Sequence, residues 1–211
     1  YCSVPMIDDR TESASRLLAR AQFECSAAAL RQAPEPDRPE IAFAGRSNAG
    51  KSSVINAVTR QKSLARTSKT PGRTQLLNFF QLEDTARLVD LPGYGFAKAP
   101  ESVRREWHRM IEAYLQYRDA LVGLVIIMDS RRPLTETDVQ MLNWCAARPL
   151  PCIILLNKAD KLSKGAAASA RQGVIRAIDG AATVLSVSAR TGTGIDAAKL
   201  AVVDLLLPQT V

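Results

Sequence analysis

The 211-residue sequence carries a single histidine and four cysteines, Cys2, Cys25, Cys145 and Cys152. The cysteines have neither the close paired spacing of a zinc site nor the density of a disulfide-stapled domain, and they fit a reducing cytosol. His108 has no cysteine or carboxylate at ligand spacing, and Ser188 has no histidine to activate it, which excludes a Ser-His-Asp hydrolase by composition. No stretch interleaves aromatic with basic residues in the manner of an RNA-stacking module. The longest apolar run, "ALVGLVIIM" at 120–128, falls well short of the roughly 20 residues that span a bilayer. No N-terminal segment combines a basic start, an apolar stretch and a small-residue cleavage site, so a soluble, cytoplasmic protein without a transmembrane segment is expected. Internal repeats and low-complexity tracts are absent.

What is present is an alternation. Apolar runs at 41–45, 75–82, 86–91, 121–129, 151–157 and 182–188 read as strands. Helix-period segments lie between most of them, at 51–59, 101–118, 135–147, 163–179 and 194–206. In the second of these Val103, Trp107, Met110 and Tyr114 share a face. Only the second and third strands lack an intervening helix, and "EDT" at 83–85 reads as a hairpin turn, which makes that pair antiparallel. The expectation is an α/β fold: a three-layer, doubly wound, mostly parallel sheet with one antiparallel edge strand. The length suits one such domain, at 39–208. A weak helical pattern and the proline-rich, charged "RQAPEPDRPE" at 31–40 form an N-terminal extension and linker over 1–38. The formal net charge of +7 favours an anionic partner.

The chemistry concentrates at strand ends. Residues 45–52 spell G-x-x-x-x-G-K-S, directly after a buried strand and before a helix, the context of a phosphate-binding loop. Gly45 and Gly50 let backbone N–H groups turn inward toward a phosphate, and the helix N-terminus adds positive potential. Lys51 reaches the terminal phosphates and Ser52 offers a hydroxyl to Mg²⁺. The "NKAD" of Asn157, Lys158, Ala159 and Asp160 follows another buried strand, where doubly wound sheets bind ligands. The Asp160 carboxylate can accept from guanine N1–H and its 2-amino group, a donor pair that adenine lacks. Lys158 can lay its stem across the ring, Asn157 can brace neighbouring loops, and the "VSA" of Val187, Ser188 and Ala189 can present backbone N–H groups to the guanine oxygen. The "DLPG" of Asp90, Leu91, Pro92 and Gly93 places a carboxylate to hold Mg²⁺ through water and an N–H to sense a γ-phosphate.

Together "GRSNAGKSS", "TPGRTQ", "DLPGYGFAK", "NKAD" and "VSA", with "DSRRPLTETD" at 129–138, resemble the EngB family of translation-factor-like GTPases, also called YihA or YsxC, over residues of about 20 to 207. The resemblance implies a P-loop GTPase that binds GTP or GDP with Mg²⁺, assists maturation of the large ribosomal subunit and is needed for normal division and septation. By resemblance the phosphate loop is Gly45, Arg46, Ser47, Asn48, Ala49, Gly50, Lys51 and Ser52. The first switch is Gly72, Arg73, Thr74, Gln75 and Leu76. Lys51, Thr74 and Gly93 serve catalysis, and Ser52 and Thr74 hold the metal. Thr70 and Thr74 are equivalent on physical grounds, and the family pattern selects Thr74.

The position after "DLPG" holds a water-orienting glutamine in Ras-like GTPases. Here it is Tyr94, with no paired carboxylate or arginine finger to replace it, so slow intrinsic hydrolysis is expected. Asn48 carries two readings. Some related GTPases bind K⁺ through an asparagine here, and an asparagine could equally serve the loop's backbone alone. Residues 60–73 hold Arg60, Lys62, Arg66, Lys69 and Arg73 with no acidic residue, and Lys98, Arg104, Arg105 and Arg109 follow the second switch. Such a basic face could grip ribosomal RNA of the large subunit or its precursor by shape and charge. A monomer is expected. The alternative is a GTP-dependent interaction protein of the division machinery with no direct ribosomal role.

Overall fold

The apolar runs become seven strands of one sheet, in the spatial order β1-β3-β4-β2-β5-β6-β7. They are β1 (Ala21–Ala27), β2 (Glu40–Gly45), β3 (Leu77–Leu82), β4 (Ala86–Asp90), β5 (Leu121–Asp129), β6 (Cys152–Asn157) and β7 (Thr183–Ser186). The computed structural model describes residues 6–65, 76–94 and 101–207, the side chains of 6–8 and 102–104 excepted. Pairing is parallel throughout β4, β2, β5, β6 and β7, while β3 runs antiparallel to β4 and to β1. The mostly parallel sheet with an antiparallel edge is therefore as the sequence predicts.

Strands buried on both faces read as near-continuous apolar runs, and β2 shows how their side chains divide. Ile41 and Phe43 point into a core roofed by α1 (Met6–Ala19), α2 (Lys51–Val58) and α6 (Ile195–Leu206). Ala42 and Ala44 point into a second core under α3 (Glu101–Tyr117), α4 (Glu136–Ala146) and α5 (Lys164–Ala177). Val125 and Ile127 of β5, against Leu124 and Ile126, divide in the same way. Three layers result. The core face of α3 is built on Trp107, Ile111, Tyr114 and Leu115, with Met110 only half-buried, so the stripe is rotated from the one predicted. The Val103 side chain lies outside the described residues.

The strand β1 has no counterpart in the sequence reading. It pairs with β3 along one edge, with a register shift between Phe23 and Cys25, and α1 packs on α6, where Arg10 meets Asp204 at 2.6 Å. Its sequence "AQFECSA" leaves Phe23 58% exposed and places a charge beside it, which is how an edge strand differs from a central one. The charged lead-in is held rather than free: Arg87 donates to the Glu35 carbonyl at 3.0 Å and Arg118 to the Pro34 carbonyl at 2.7 Å.

Candidate functional site

The chain leaves β2 toward β3 and β4 on one side, then returns to β5 on the other. The C-terminal end of β2 is thus the switch point, where open α/β sheets bind ligands. The loop that follows it has no room for side chains at either glycine. A Cβ on Gly45 would meet the Ile127 carbonyl oxygen at 3.0 Å, and one on Gly50 would sit 2.4 Å from Asn157 Nδ2 at a φ of +92°. The Ala49 N–H donates to the Arg46 carbonyl at 2.9 Å, and α2 begins at Lys51. The Lys51 ammonium is in ion-pair contact with the Asp90 carboxylate, both side chains largely buried. The cation that phosphate chemistry needs and the carboxylate that metal chemistry needs are therefore neighbours.

This donor set fits Mg²⁺, which takes few protein ligands and keeps phosphate oxygens and water. Ser52 in the first turn of α2 and Asp90 at the end of β4 are the hydroxyl and carboxylate available; among the described residues no cluster of three or more His, Cys, Asp or Glu side chains forms a protein-only cage. Gly72, Arg73, Thr74 and Gln75 lie outside the described residues, as do Arg66, Lys69 and Lys98, and Leu76 directly precedes β3.

After Asp90 the chain keeps to the sheet, with the Leu91 N–H donating to the Phe43 carbonyl at 3.0 Å. Tyr94 then stitches the segment to the phosphate loop: its carbonyl accepts from Ser47 N–H at 2.8 Å and its own N–H donates to the Gly45 carbonyl at 3.4 Å. The Tyr94 side chain turns into the core. Its hydroxyl donates to Asp138 Oδ1 at 2.8 Å and its ring lies 6.2 Å from that of Trp107. Burial, then the Asp138 charge, push this phenol far above its ordinary pKa, so it remains a neutral donor. Asp138 Oδ2 in turn accepts from the Thr135 N–H at 3.0 Å, as part of the capping box that starts α4, and from Thr135 Oγ1 at 2.7 Å. Tyr94 is thus an anchor between the phosphate loop and α4.

The base end is built by β6. Asn157 bridges the two halves: its Nδ2 donates to the Ala49 carbonyl at 2.9 Å, and its Oδ1 accepts from Ala189 N–H at 3.1 Å. Lys158, in the left-handed conformation at a φ of 66°, donates to the Asn48 carbonyl at 2.5 Å and to Asp129 Oδ2 at 2.9 Å. Asp160 accepts from the Ser188 hydroxyl at 2.8 Å, with Arg190 at 3.6 Å and Lys161 at 3.9 Å. The Ser188 bond leads in holding this carboxyl below its ordinary range, so it is ionised at neutral pH.

Two features differ from expectation. The Val187, Ser188 and Ala189 N–H groups already donate to the Leu156 carbonyl, the Thr193 carbonyl and Asn157 Oδ1. The segment's visible work is to orient Asp160 through Ser188. Sequence reasoning also passed over Asp129 and Arg131, whose only signal was the unexplained "DSRRPLTETD". His108 stands edge-on between Trp107 and Trp144, at 4.9 and 5.4 Å between ring centroids. On α3 the exposed Arg105 and Arg109 share the surface with Glu101, Glu106 and Glu112, and Arg105 lies 3.8 Å from Glu101, so this helix is not a purely basic face.

Residues 40–158 match the family described as 50S ribosome-binding GTPase. The probable GTP-binding protein EngB of Photorhabdus laumondii is 57% identical over 145 residues, 69% of this chain and 69% of the relative. That of Pasteurella multocida is 53% identical over 186 residues, covering 86% of this chain and 91% of the relative. A crystal structure of a probable GTP-binding protein EngB superposes with a TM-score of 0.66 at 23% identity, covering 81% of this chain and all (100%) of that one. Era in complex with MgGDPNP and nucleotides 1506-1542 of 16S ribosomal RNA shares the fold at a TM-score of 0.64 and 18% identity, over 83% of this chain and 59% of Era. No helix among the described residues is long and apolar enough to cross a membrane. A phosphate loop wired to an N-K-x-D wall, matched at this identity over this length, places the chain in the EngB family of GTP-binding GTPases.

Proposed function

We propose that the protein is a Mg²⁺-dependent GTP switch with slow intrinsic hydrolysis, acting in the cytoplasm as a monomer on the large ribosomal subunit or its precursor, and that normal division and septation depend on it. The observation that carries the reading is the direct bond from Asn157 to the phosphate loop, which joins a phosphate cradle and a guanine wall in one crevice. The loop from Gly45 to Ser52 wraps the phosphates with its N–H groups, and Lys51 exchanges Asp90 for a phosphate oxygen. That exchange frees the Asp90 carboxylate, whose buried charge Mg²⁺ would then compensate through water. Ser52 and Thr74 would hold Mg²⁺, which supplies charge neutralisation between phosphates. Gly93 senses the γ-phosphate, and Asp160 reads the base.

Slow turnover follows from Tyr94. The side chain that stands where a water-orienting group is needed is buried and committed to Asp138. The ribosomal reading leans on the family's description and on the basic run at 60–73, of which Arg60 and Lys62 are exposed. The test is binding to purified large subunits and their precursors at fixed salt, with GDP against a non-hydrolysable GTP analogue. Stronger binding with the analogue is expected, and the double replacement Arg66→Ala and Lys69→Ala should lower the slope of log K against log salt by roughly 1–2. Absence of binding in both nucleotide states would move the division-machinery reading ahead.

Asn48 now has a measurable backbone role, since its φ of 67° is one that asparagine tolerates better than most residues. If it also holds K⁺, hydrolysis in K⁺ buffer should exceed that in Na⁺ buffer by about tenfold or more, because a positive charge aimed at the transferring phosphate stabilises its transition state. Equal rates would leave the backbone role as the whole explanation.

A further inference from the structure

Asp129 closes β5 beside Asn157 of β6 and opens the "DSRRPLTETD" segment, which nucleotide chemistry leaves without a task. Its side chain is 6% exposed and fully engaged. Oδ2 accepts from Lys158 Nζ at 2.9 Å and from Arg131 Nη2 at 2.7 Å, while Oδ1 accepts from the Arg131 backbone N–H at 3.0 Å and Nε at 2.9 Å. The next residue ties the same two strand ends together, because Ser130 N–H and Oγ both donate to the Asn157 carbonyl, at 2.8 and 2.7 Å. Lys158 Nζ also donates to the Asn48 carbonyl at 2.5 Å. The ammonium is therefore bracketed by a carboxylate on the sheet and a carbonyl on the phosphate loop.

A lysine on a flexible four-carbon stem ordinarily loses much rotamer freedom when it is put to use. Here the ammonium is fixed at both sides, and the carboxylate that fixes it is itself held by a bidentate arginine. Resting on the reading that a guanine nucleotide occupies this crevice, we propose that Asp129 is a positioning residue for nucleotide binding: it clamps the Lys158 ammonium against the Asn48 carbonyl, so that the lysine stem is set over the base before the nucleotide arrives. Arg131 orients the clamp. The effect falls on affinity and residence time, and discrimination between bases stays with Asp160.

The test measures GDP and IDP affinities, IDP lacking the 2-amino group, for the full chain and five variants: Asp129→Asn, Arg131→Gln, Lys158→Ala, and the Asp129→Asn/Lys158→Ala and Arg131→Gln/Lys158→Ala doubles. Loss of a hydrogen bond to a charged group is expected to raise the GDP Kd of Asp129→Asn roughly tenfold, with the GDP-to-IDP ratio unchanged within about twofold. Adding Asp129→Asn to Lys158→Ala should produce no further loss, because the residue acts through that ammonium. An unchanged Kd, a shifted GDP-to-IDP ratio, or the same tenfold loss without Lys158 would each overturn the proposal. Should Asp129→Asn not fold, Arg131→Gln decides: about a threefold rise that vanishes in the Lys158→Ala background is expected, and a rise of the same size in both backgrounds refutes it. A wild-type protein that binds neither nucleotide would instead refute the nucleotide reading beneath it.

Discussion

Asp160→Asn is expected to convert a guanine pocket into a xanthine pocket. Guanine presents two donors along the edge that Asp160 would meet, N1–H and the 2-amino group, and a carboxylate offers an acceptor to each. Asparagine keeps one acceptor for N1–H but turns its own N–H toward the 2-amino group, so that donor faces donor in a partly enclosed site. Xanthine carries N1–H beside a 2-oxo group, which suits the amide. With two charge-assisted hydrogen bonds at stake, GDP affinity should fall by roughly 10²–10⁴-fold while XDP affinity rises above that of the wild type. The surroundings favour this outcome. Ser188 Oγ donates to Asp160 Oδ1 at 2.8 Å and itself accepts from Thr191 N–H at 3.2 Å, so the hydroxyl is oriented from behind and can serve an amide oxygen as well as a carboxylate. Competition between GDP and XDP for the variant is the measurement, and tight XDP binding would by itself show that the variant is folded. A variant that still prefers GDP would mean that the base is read elsewhere.

The parts of the site that sequence alone made visible are those whose chemistry is local. A phosphate loop uses contiguous glycines, a lysine and a serine after a strand, and β2, the loop and α2 lie where the pattern placed them. Asp160 is legible for the same reason, since its task depends on a strand end and on its own carboxylate. The wiring between segments is another matter. Asp129 meets a lysine 29 residues away, and that lysine meets a loop 110 residues away, pairings that no periodicity encodes. Tyr94 could be read as the lack of a glutamine but not as an anchor, because its partner Asp138 lies 44 residues on, inside a helix cap. The strand β1 escaped for a different reason. Edge strands carry one buried side and a deliberate break, and "AQFECSA" with its register shift shows neither alternation nor an apolar run.

Glu40→Ala should be the most destabilising single replacement at the far end of the sheet from the site. Glu40 opens β2, and its side chain is 0% exposed. Its Oε2 accepts from Tyr114 Oη and Arg118 Nε, both at 2.9 Å, its Oε1 from Arg118 Nη2 at 2.6 Å, and Arg87 Nη1 stands 3.9 Å away. Arg87 also reaches Glu24 on β1 and Asp37 in the lead-in, at 2.8 and 2.7 Å. One carboxylate therefore joins the edge strand, the linker, two central strands and α3. Replacing such a set wholesale by apolar residues can be neutral, but deleting its anion alone strips the buried Arg118 guanidinium and the Tyr114 phenol of their partner, while Arg87 keeps Glu24 and Asp37, at a cost of about 3–5 kcal/mol. For a chain of this length that corresponds to a fall in melting temperature of roughly 10 °C, readable by calorimetry or urea denaturation. Glu40→Gln, which keeps an acceptor, should lose less. Deleting the exposed Glu12, paired with the exposed Arg16, should leave the midpoint where it is. GDP affinity separates this role from any in binding: five residues of strand put Glu40 about 16 Å from Gly45. At temperatures where the variant is folded, its Kd should match the wild type, since the network stabilises the sheet beneath the crevice without touching what the crevice holds. A loss below about 1 kcal/mol would show that neighbouring groups or water already compensate Arg118.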